Sequence, residues 1–451
     1  MEIAELHRLF LGTSGVTTDS RAIKGGEMFI ALKGENFDGN EYALKALEAG
    51  AAYAVVDEGS KYDGSDPRII AFPDTLGALQ ALARYHRENT FVDGNRITVI
   101  GLTGTNGKTT TKNLIREVLS TKYKVTATEG NLNNDIGVPL SLLKINAETE
   151  IAVIEMGANH PDDIEKLVKV SEPDYGLITN VGKAHLLGFG SFEGVKEAKG
   201  KLYDWIAENG KAVFLNVDDI DLCGMASQRA GISAIPYGIR EWKTEVIPAD
   251  SDHPYLRIAI PVGDHQLDLD SDMLFVVNTN LVGSYNASNV LAAIAVGLYF
   301  GVEIDEAFSA IGHFVPSNNR SQMVKTERNS LIVDAYNANP TSMAAALDNF
   351  AMAVSGNKVA LLGDMRELGA ESVAEHEAIV RKVNDIPMSK VCYVGEEFRK
   401  ALENTGKAEN VLWFETSETL ASHLAENTLE GALVLVKGSR GIQMEKAIPQ
   451  L

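Results

Sequence analysis

Gly101-Leu102-Thr103-Gly104-Thr105-Asn106-Gly107-Lys108-Thr109-Thr110-Thr111 follows a short apolar run, Ile97-Thr98-Val99-Ile100, and precedes a helical pattern over 112–119. The apolar run reads as a buried strand. Strand, glycine loop, Lys-Thr and helix, in that order, make a phosphate-binding loop. Glycines let backbone N–H groups turn toward an anion, and the helix N-terminus adds positive potential. Gly104, Thr105, Asn106, Gly107, Lys108, Thr109 and Thr110 are therefore the expected cradle of a nucleoside triphosphate. Lys108 belongs along the β- and γ-phosphates and the Thr109 hydroxyl at a Mg²⁺. The spacing departs from the strict GxxxxGK[ST] form: Leu102 stands where the first glycine belongs, Gly101 is one residue early, and Gly104 is extra. A ligand-free Gly-rich turn is the alternative, but Gly-Lys-Thr-Thr at a strand-to-helix junction is rarely accidental.

A chain of 451 residues is long enough for about three domains. Net charge is 41 − 62 = −21, which argues against nonspecific nucleic-acid binding. An acidic protein that handles a triphosphate and a carboxylate must gather its cations at the site. Two anions about 4 Å apart repel by roughly 4 kcal/mol at an effective dielectric near 20. The longest apolar run, 290–302, is too short to span a bilayer, and residues 1–5 lack the basic start of a signal peptide. Two cysteines, Cys223 and Cys392, give no disulfide framework. A cytosolic location and a monomer are expected.

Three units follow from the patterning, with boundaries at 1–93, 94–312 and 313–451. The first alternates strand and helix, and places Ser20, Arg21, Lys33 and Gly34 in polar turns. Arg21 and Lys33 can hold an anion, although solvated surface charges are the commoner state of such residues. The polar stretch 87–96 reads as a linker. In the second unit, the loop 131–139 is dense in side-chain amides, among them Asn133 and Asn134. The strand Ile151–Glu155 ends in a carboxylate, where α/β ATPases place a Mg²⁺-associated acid. His185 falls just past another strand end, yet a lone His is usually structural. Lys199 has the spacing of a routine helix lysine. Asn286 and Asn289 open an Ala/Leu-rich helix, either as caps or as base-reading amides. Residues 253–282 form an antiparallel annex. The third unit alternates five strands with four helices, which predicts a second open parallel sheet. It has no GxGxxG, so a dinucleotide is not indicated.

Strings in all three units resemble the Mur ligases of peptidoglycan synthesis. They include Asp19-Ser20-Arg21, Thr103 through Thr109, Gly130 through Pro139, Glu155-Met156-Gly157-Ala158, Ala184-His185, Asp334-Ala335-Tyr336-Asn337-Ala338-Asn339-Pro340, Gly363-Asp364-Met365-Arg366-Glu367-Leu368-Gly369 and Lys437-Gly438-Ser439-Arg440. Within the family, Tyr336-Asn337-Ala338-Asn339-Pro340 and Gly363-Asp364-Met365-Arg366-Glu367-Leu368-Gly369 are most similar to ligases that join D-alanyl-D-alanine to UDP-N-acetylmuramoyl-tripeptide. The resemblance implies an α/β chain of three domains. These are a small N-terminal α/β domain, a central mostly parallel P-loop sheet with helices on both faces, and a C-terminal Rossmann-like open sheet.

It also implies that Ser20, Arg21, Lys33 and Gly34 hold the UDP portion, and that Asn133 and Asn134 lie near the sugar nucleotide. Glu155 and His185 serve Mg²⁺, and Lys199 matches a carbamylated lysine, an anion that suits a second Mg²⁺. Asn286 and Asn289 contact the adenine nucleotide, and Arg320, Asp334 and Tyr336 reach ATP from the third domain. The implied reaction activates the tripeptide carboxylate as an acyl phosphate and then attacks it with the dipeptide amine. Three positions depart from the family's usual residues: Asn40 and Tyr285 where His is common, and Leu187 where Glu is common. The alternatives are another amide ligase of this superfamily, such as a folylpolyglutamate synthetase, a small-molecule P-loop kinase, or a nucleotide-binding scaffold.

Overall fold

A computed structural model describes residues 1–62, 64–250, 253–316 and 320–451. Its centre is a six-stranded, all-parallel sheet. The strand order is Ala234–Tyr237, Ala212–Asn216, Tyr175–Ile178, Thr98–Thr103, Ile151–Glu155, Val125–Ala127. The strand before the glycine loop is thus interior, which explains why nearly all of its side chains are buried. Its period of two divides them between two cores. Val99, Ala152 and Ile154 face one, and Ile100, Leu102, Ile151 and Val153 face the other. Helices therefore cover both faces.

The N-terminal four-stranded parallel sheet spans Val16 to Phe72. It is not hung on a flexible tether. The helix Thr75–Asn89 contributes Leu79 and Leu82 to the same core as Val99 and Ala152. The reading of 87–96 as a linker is corrected here. Arg87 is fully buried, and its Nη2 donates to Asp174 Oδ2 at 2.8 Å. Residues Phe91–Val92 and Asn95–Arg96 form a small hairpin. The polarity of that stretch reflects ion pairs with the central domain, Arg87 with Asp174 and Arg96 with Glu172.

The expected antiparallel annex is present, with Glu245–Ile247, Arg257–Gly263 and Leu274–Asn278 paired in that order. The C-terminal sheet also has six strands, but it is mixed. Gln322–Lys325 pairs antiparallel with Ser330–Asp334, and the other five strands are parallel. No helix lies between the short edge strand and Ser330–Asp334, so the pair has no βα signature. A four-residue helix, Leu186–Phe189, separates His185 from the long helix Phe192–Asn209. No helix among the described residues is long and apolar enough to cross a membrane.

Candidate active site

The carboxyl ends of the central strands converge beside Thr98–Thr103, because the chain crosses from one side of that strand to the other. The C-terminal sheet turns the carboxyl ends of Ser330–Asp334 and Leu433–Lys437 toward the same space. Between them lies a cavity of about 650 Å³. Its lining includes Thr105 through Thr110, Asn133, Asn134, Glu155, His185, Tyr285, Asn286, Asn289, Arg320, Asp334, Tyr336, Asn339 and Lys437.

The glycine loop is shorter than the strict pattern because the strand continues through Leu102 to Thr103. Gly104 makes the turn that the displaced first glycine cannot. Its φ is 149°, and a Cβ there would lie 1.9 Å from Thr179 Oγ1. Gly107 has φ 79° and ends the loop at the start of helix Lys108–Leu119. Asn106 is held by reciprocal bonds. Its N–H donates to Asn180 Oδ1 at 3.0 Å, and its carbonyl accepts from Asn180 Nδ2 at 3.0 Å and Thr179 Oγ1 at 2.6 Å. Lys108 Nζ donates to the carbonyls of Gly104 at 2.7 Å and Thr105 at 3.1 Å. Burial lowers the pKa of Lys108; Glu155 opposes that shift and Arg320 adds to it.

Glu155 is 1% exposed. Oε1 accepts from Asn133 Nδ2 at 2.8 Å and Thr109 Oγ1 at 3.2 Å. Oε2 is buried and has no partner among the described residues. A buried carboxylate oxygen without a donor marks the place of a missing cation or donor. The hard oxygens of Glu155 and Thr109 suit Mg²⁺, which takes one or two carboxylates and completes its shell with phosphates and water. Among the described residues, no three His, Cys, Asp or Glu side chains form a metal cage by themselves. The site therefore fits a cation that arrives with a nucleotide.

His185 takes a left-handed φ of 52°, and its Nδ1 pairs with Glu367 of the C-terminal domain, also left-handed at 64°. Burial lowers the His185 pKa against the pull of Glu367, and Lys108 lowers it further. Lys199 is not a routine helix lysine. It is 3% exposed, and burial, reinforced by Lys108 and opposed by Asp163, brings its pKa down to about 7. It sits behind the cavity wall, with its Nζ 5.7 Å from the Phe189 ring centroid, and is not itself a lining residue.

Asn286 occupies the N-cap position of helix Ala287–Tyr299 but caps nothing with its side chain. Its Nδ2 donates to Val282 O at 2.8 Å, and its Oδ1 accepts from Asn289 Nδ2 at 2.8 Å. Asn289 Oδ1 accepts from Thr111 Oγ1 at 3.0 Å, which ties this helix to the phosphate-loop helix. Asp334 pairs with Lys437, and Arg320 lies 3.6 Å over the Tyr336 ring. Asn134 Oδ1 is taken by the Gly137 N–H, which starts a helix inside the expected loop 131–139.

Ser20, Arg21, Lys33 and Gly34 are not among the cavity-lining residues. Arg21 pairs with Asp19, and Lys33 lies 3.5 Å from Asp38. Of the three departures, Asn40 is buried and bridges Asp38 and Asp57, and the Tyr285 hydroxyl meets Ser321 Oγ at 2.9 Å. Leu187 is 70% exposed and lies against Gly369. Reading by residue type passes over Asn180, Asn339, Glu367 and Lys437. Three of these lie in the strings that carry the resemblance. Asn339 and Asn106 exchange side-chain amides, with Asn339 Nδ2 donating at 2.8 Å, so the phosphate loop touches the C-terminal domain directly.

Three family models match the chain: "Mur ligase family, catalytic domain" over 13–87, "Mur ligase middle domain" over 102–297, and "Mur ligase, glutamate ligase domain" over 319–440. The chain is also similar to the UDP-N-acetylmuramoyl-tripeptide--D-alanyl-D-alanine ligase of Bacillus subtilis. Identity is 33%, covering 97% of this chain and 93% of that one. The chain belongs to the Mur ligase family. A ligase of the same name from Escherichia coli is 33% identical to this Mur ligase and covers 99% of it and 95% of its own length. Among solved structures, MurF from Acinetobacter baumannii superposes with a TM-score of 0.85 at 28% identity, covering 100% of this chain and 98% of that one. MurF of Thermotoga maritima in complex with ADP gives 0.81 at 27% identity, covering 98% and 97%.

Proposed function

We propose that this Mur ligase uses ATP to join D-alanyl-D-alanine to the terminal carboxylate of UDP-N-acetylmuramoyl-tripeptide, in the cytoplasm. The full-length match to ligases of that name carries the reading. Residues 1–93 are assigned to the UDP end of the substrate through Ser20, Arg21, Lys33 and Gly34. Residues 94–312 are assigned to ATP, and residues 313–451 to completing the ATP and dipeptide sites.

The tripeptide carboxylate attacks the γ-phosphorus of ATP, forming an acyl phosphate and releasing ADP. The dipeptide amine then attacks the acyl carbon, a proton leaves the nitrogen, and inorganic phosphate departs with its bonding pair. Lys108 faces the phosphoryl oxygens, whose charge the site must neutralise. Glu155, Thr109 and His185 are the residues to hold Mg²⁺, which when bound screens the phosphates from the incoming carboxylate. Asn286, Asn289, Arg320, Asp334 and Tyr336 enclose the nucleotide, and the C-terminal domain excludes water from the reactive acyl phosphate.

Lys199 is assigned to a carbamate. A primary amine adds to CO₂ only in its neutral form. With a pKa of about 7, roughly three quarters of Lys199 is neutral at pH 7.5, against about one part in a thousand for an ordinary lysine. The carbamate restores an anion beside Lys108. Protein kept in ¹³C-bicarbonate should show a carbamate carbonyl resonance that is absent from K199M.

An acceptor screen tests the whole reading. Purified protein receives ATP, Mg²⁺ and the UDP-tripeptide, and phosphate release is followed with each candidate amine. D-alanyl-D-alanine should support turnover, and hydroxylamine should trap the acyl group as a hydroxamate. Turnover with a single amino acid but not with the dipeptide, or formation of a stable phosphoester, would sink the assignment.

A further inference from the structure

Beside the main cavity lies a second pocket of about 330 Å³, near the lower limit for small-ligand sites, roughly 300 Å³. Thr109 stands on its phosphate side, and Arg320, Tyr336, Arg440 and Glu445 stand on its C-terminal-domain side. In a chain of net charge −21, a basic side chain usually finds a carboxylate. Among the described residues, neither Arg320 nor Arg440 forms a salt bridge, and Arg320 Nε is buried without a hydrogen-bond partner. Both guanidinium groups are instead gathered on one ring, 3.6 Å and 5.6 Å from the Tyr336 centroid. Two like charges beside one ring, with no carboxylate paired to either, favour an anion beside them.

The backbone that delivers Arg440 is tightly fixed. Two residues past strand Leu433–Lys437 stands Ser439, whose N–H donates to Asp364 O at 3.1 Å. Ser439 Oγ donates to Ala338 O at 3.2 Å and accepts from the Arg366 N–H at 2.9 Å. Arg440 then opens the turn Arg440–Ile442. Exposed on this braced turn, 5.6 Å from the Tyr336 ring centroid, Arg440 presents a planar fork that matches a carboxylate in two parallel hydrogen bonds.

We propose that Arg440, braced on Tyr336 beside Arg320, binds the terminal carboxylate of the incoming dipeptide. The inference rests on the ligase reading above. In that reaction the ATP phosphates belong to the loop around Lys108, and the tripeptide's reacting carboxylate must reach the γ-phosphate. The dipeptide's own carboxylate is an anion of the reaction that these two sites leave without a partner. Held at Arg440, it leaves the amine end free to reach toward Thr109 on the phosphate side of the pocket.

The test compares D-alanyl-D-alanine with D-alanyl-D-alaninamide, which lacks the carboxylate charge, in the parent enzyme and in R440Q and R440K. In the parent, the KM for the amide should exceed that for the dipeptide by roughly 10- to 100-fold, the range for a hydrogen bond to a charged group. R440Q should raise the KM for the dipeptide by a similar factor and bring the two acceptors together, with R440K between. The KM values for ATP and UDP-tripeptide should stay within about twofold of the parent. A parent indifferent to the amide overturns the inference without any variant. So does an R440Q defect confined to ATP, which assigns Arg440 to a phosphate, or to UDP-tripeptide, which assigns it to another carboxylate of that substrate. If the parent turns over no D-alanyl-D-alanine at all, the ligase reading itself has failed.

Discussion

Replacing Lys199 by methionine should make this protein more stable while removing its activity. The physical ground is a buried amine whose pKa falls from 10.5 to about 7. The unfolded chain binds a proton on Lys199 up to its ordinary pKa, whereas the folded chain releases it above about 7. Between those values unfolding takes up a proton, so stability rises with pH across the window. Below about pH 7 the penalty is complete. At 1.36 kcal/mol per pH unit, the interval corresponds to about 5 kcal/mol. At pH 8.5 it falls to about 3 kcal/mol, and it is nearly gone by pH 10. K199M has a similar volume, carries no charge and escapes that penalty.

Denaturant melts of parent and K199M at pH 6.5, 8.5 and 10 test this, in EDTA-treated buffer purged of CO₂ to keep the amine free. The gain in the variant should be several kcal/mol at pH 6.5 and shrink steadily toward pH 10. In a separate assay with Mg²⁺ and bicarbonate, the parent should turn over ATP and K199M should not. Equal stability of the two proteins at pH 6.5, or a difference that does not change with pH, would refute the claim that folding buries a depressed lysine.

Other changes probe separate parts of the molecule. Glu155→Gln should raise the Mg²⁺ concentration needed for half-maximal turnover at least 10-fold, because the unpartnered Oε2 loses its charge; an unaltered Mg²⁺ titration would remove Glu155 from the metal site. Asp174→Ala leaves the guanidinium of Arg87 buried without its carboxylate and should destabilise by about 3–5 kcal/mol in denaturant melts, whereas Arg87→Met should be much milder. The buried pair His7 and His86, 3.0 Å apart, both have lowered pKa values, in each case chiefly through burial. The unfolded chain therefore gains protons that the folded one refuses, and stability should fall as pH drops below 6.5. His7→Phe should flatten that slope between pH 7.5 and 5.5. Asn339→Ala removes both the cap of helix Pro340–Met352 and the partner of Asn106. It should cost about 0.5–2 kcal/mol of stability and raise the KM for ATP, whereas Asn339→Ser, which retains a cap, should raise the KM alone.

Much of the site can be read from the chain because phosphate chemistry is local. Turning amides toward an anion takes a strand end, glycines and a helix start, and all of these are contiguous in 97–119. Strand-end residues such as Glu155 and His185 are legible for a related reason. In a parallel sheet every strand delivers its carboxyl end to the same side, so position along the strand predicts position in space. The alternating pattern of the C-terminal domain is equally visible, except at Gln322–Lys325, a short edge strand joined by a tight turn.

What eludes a linear reading depends on burial and on contacts between distant segments. Lys199 shows nothing unusual in a helix spacing. Only packing behind the cavity wall removes its solvent and moves its proton equilibrium. Arg87 lies in a polar stretch and proves to be buried, because Asp174 is 87 residues away in the chain and 2.8 Å away in space. Asn106 meets Asn339 and His185 meets Glu367 only once two sheets turn their carboxyl ends toward each other, and Arg440 meets Tyr336 only because their strands pair within the C-terminal sheet. Composition and spacing determined that this chain binds a nucleoside triphosphate on an α/β frame. The tertiary structure decided which distant residues face that nucleotide, because solvent exclusion and charge pairing are properties of neighbours in space and not of neighbours along the chain.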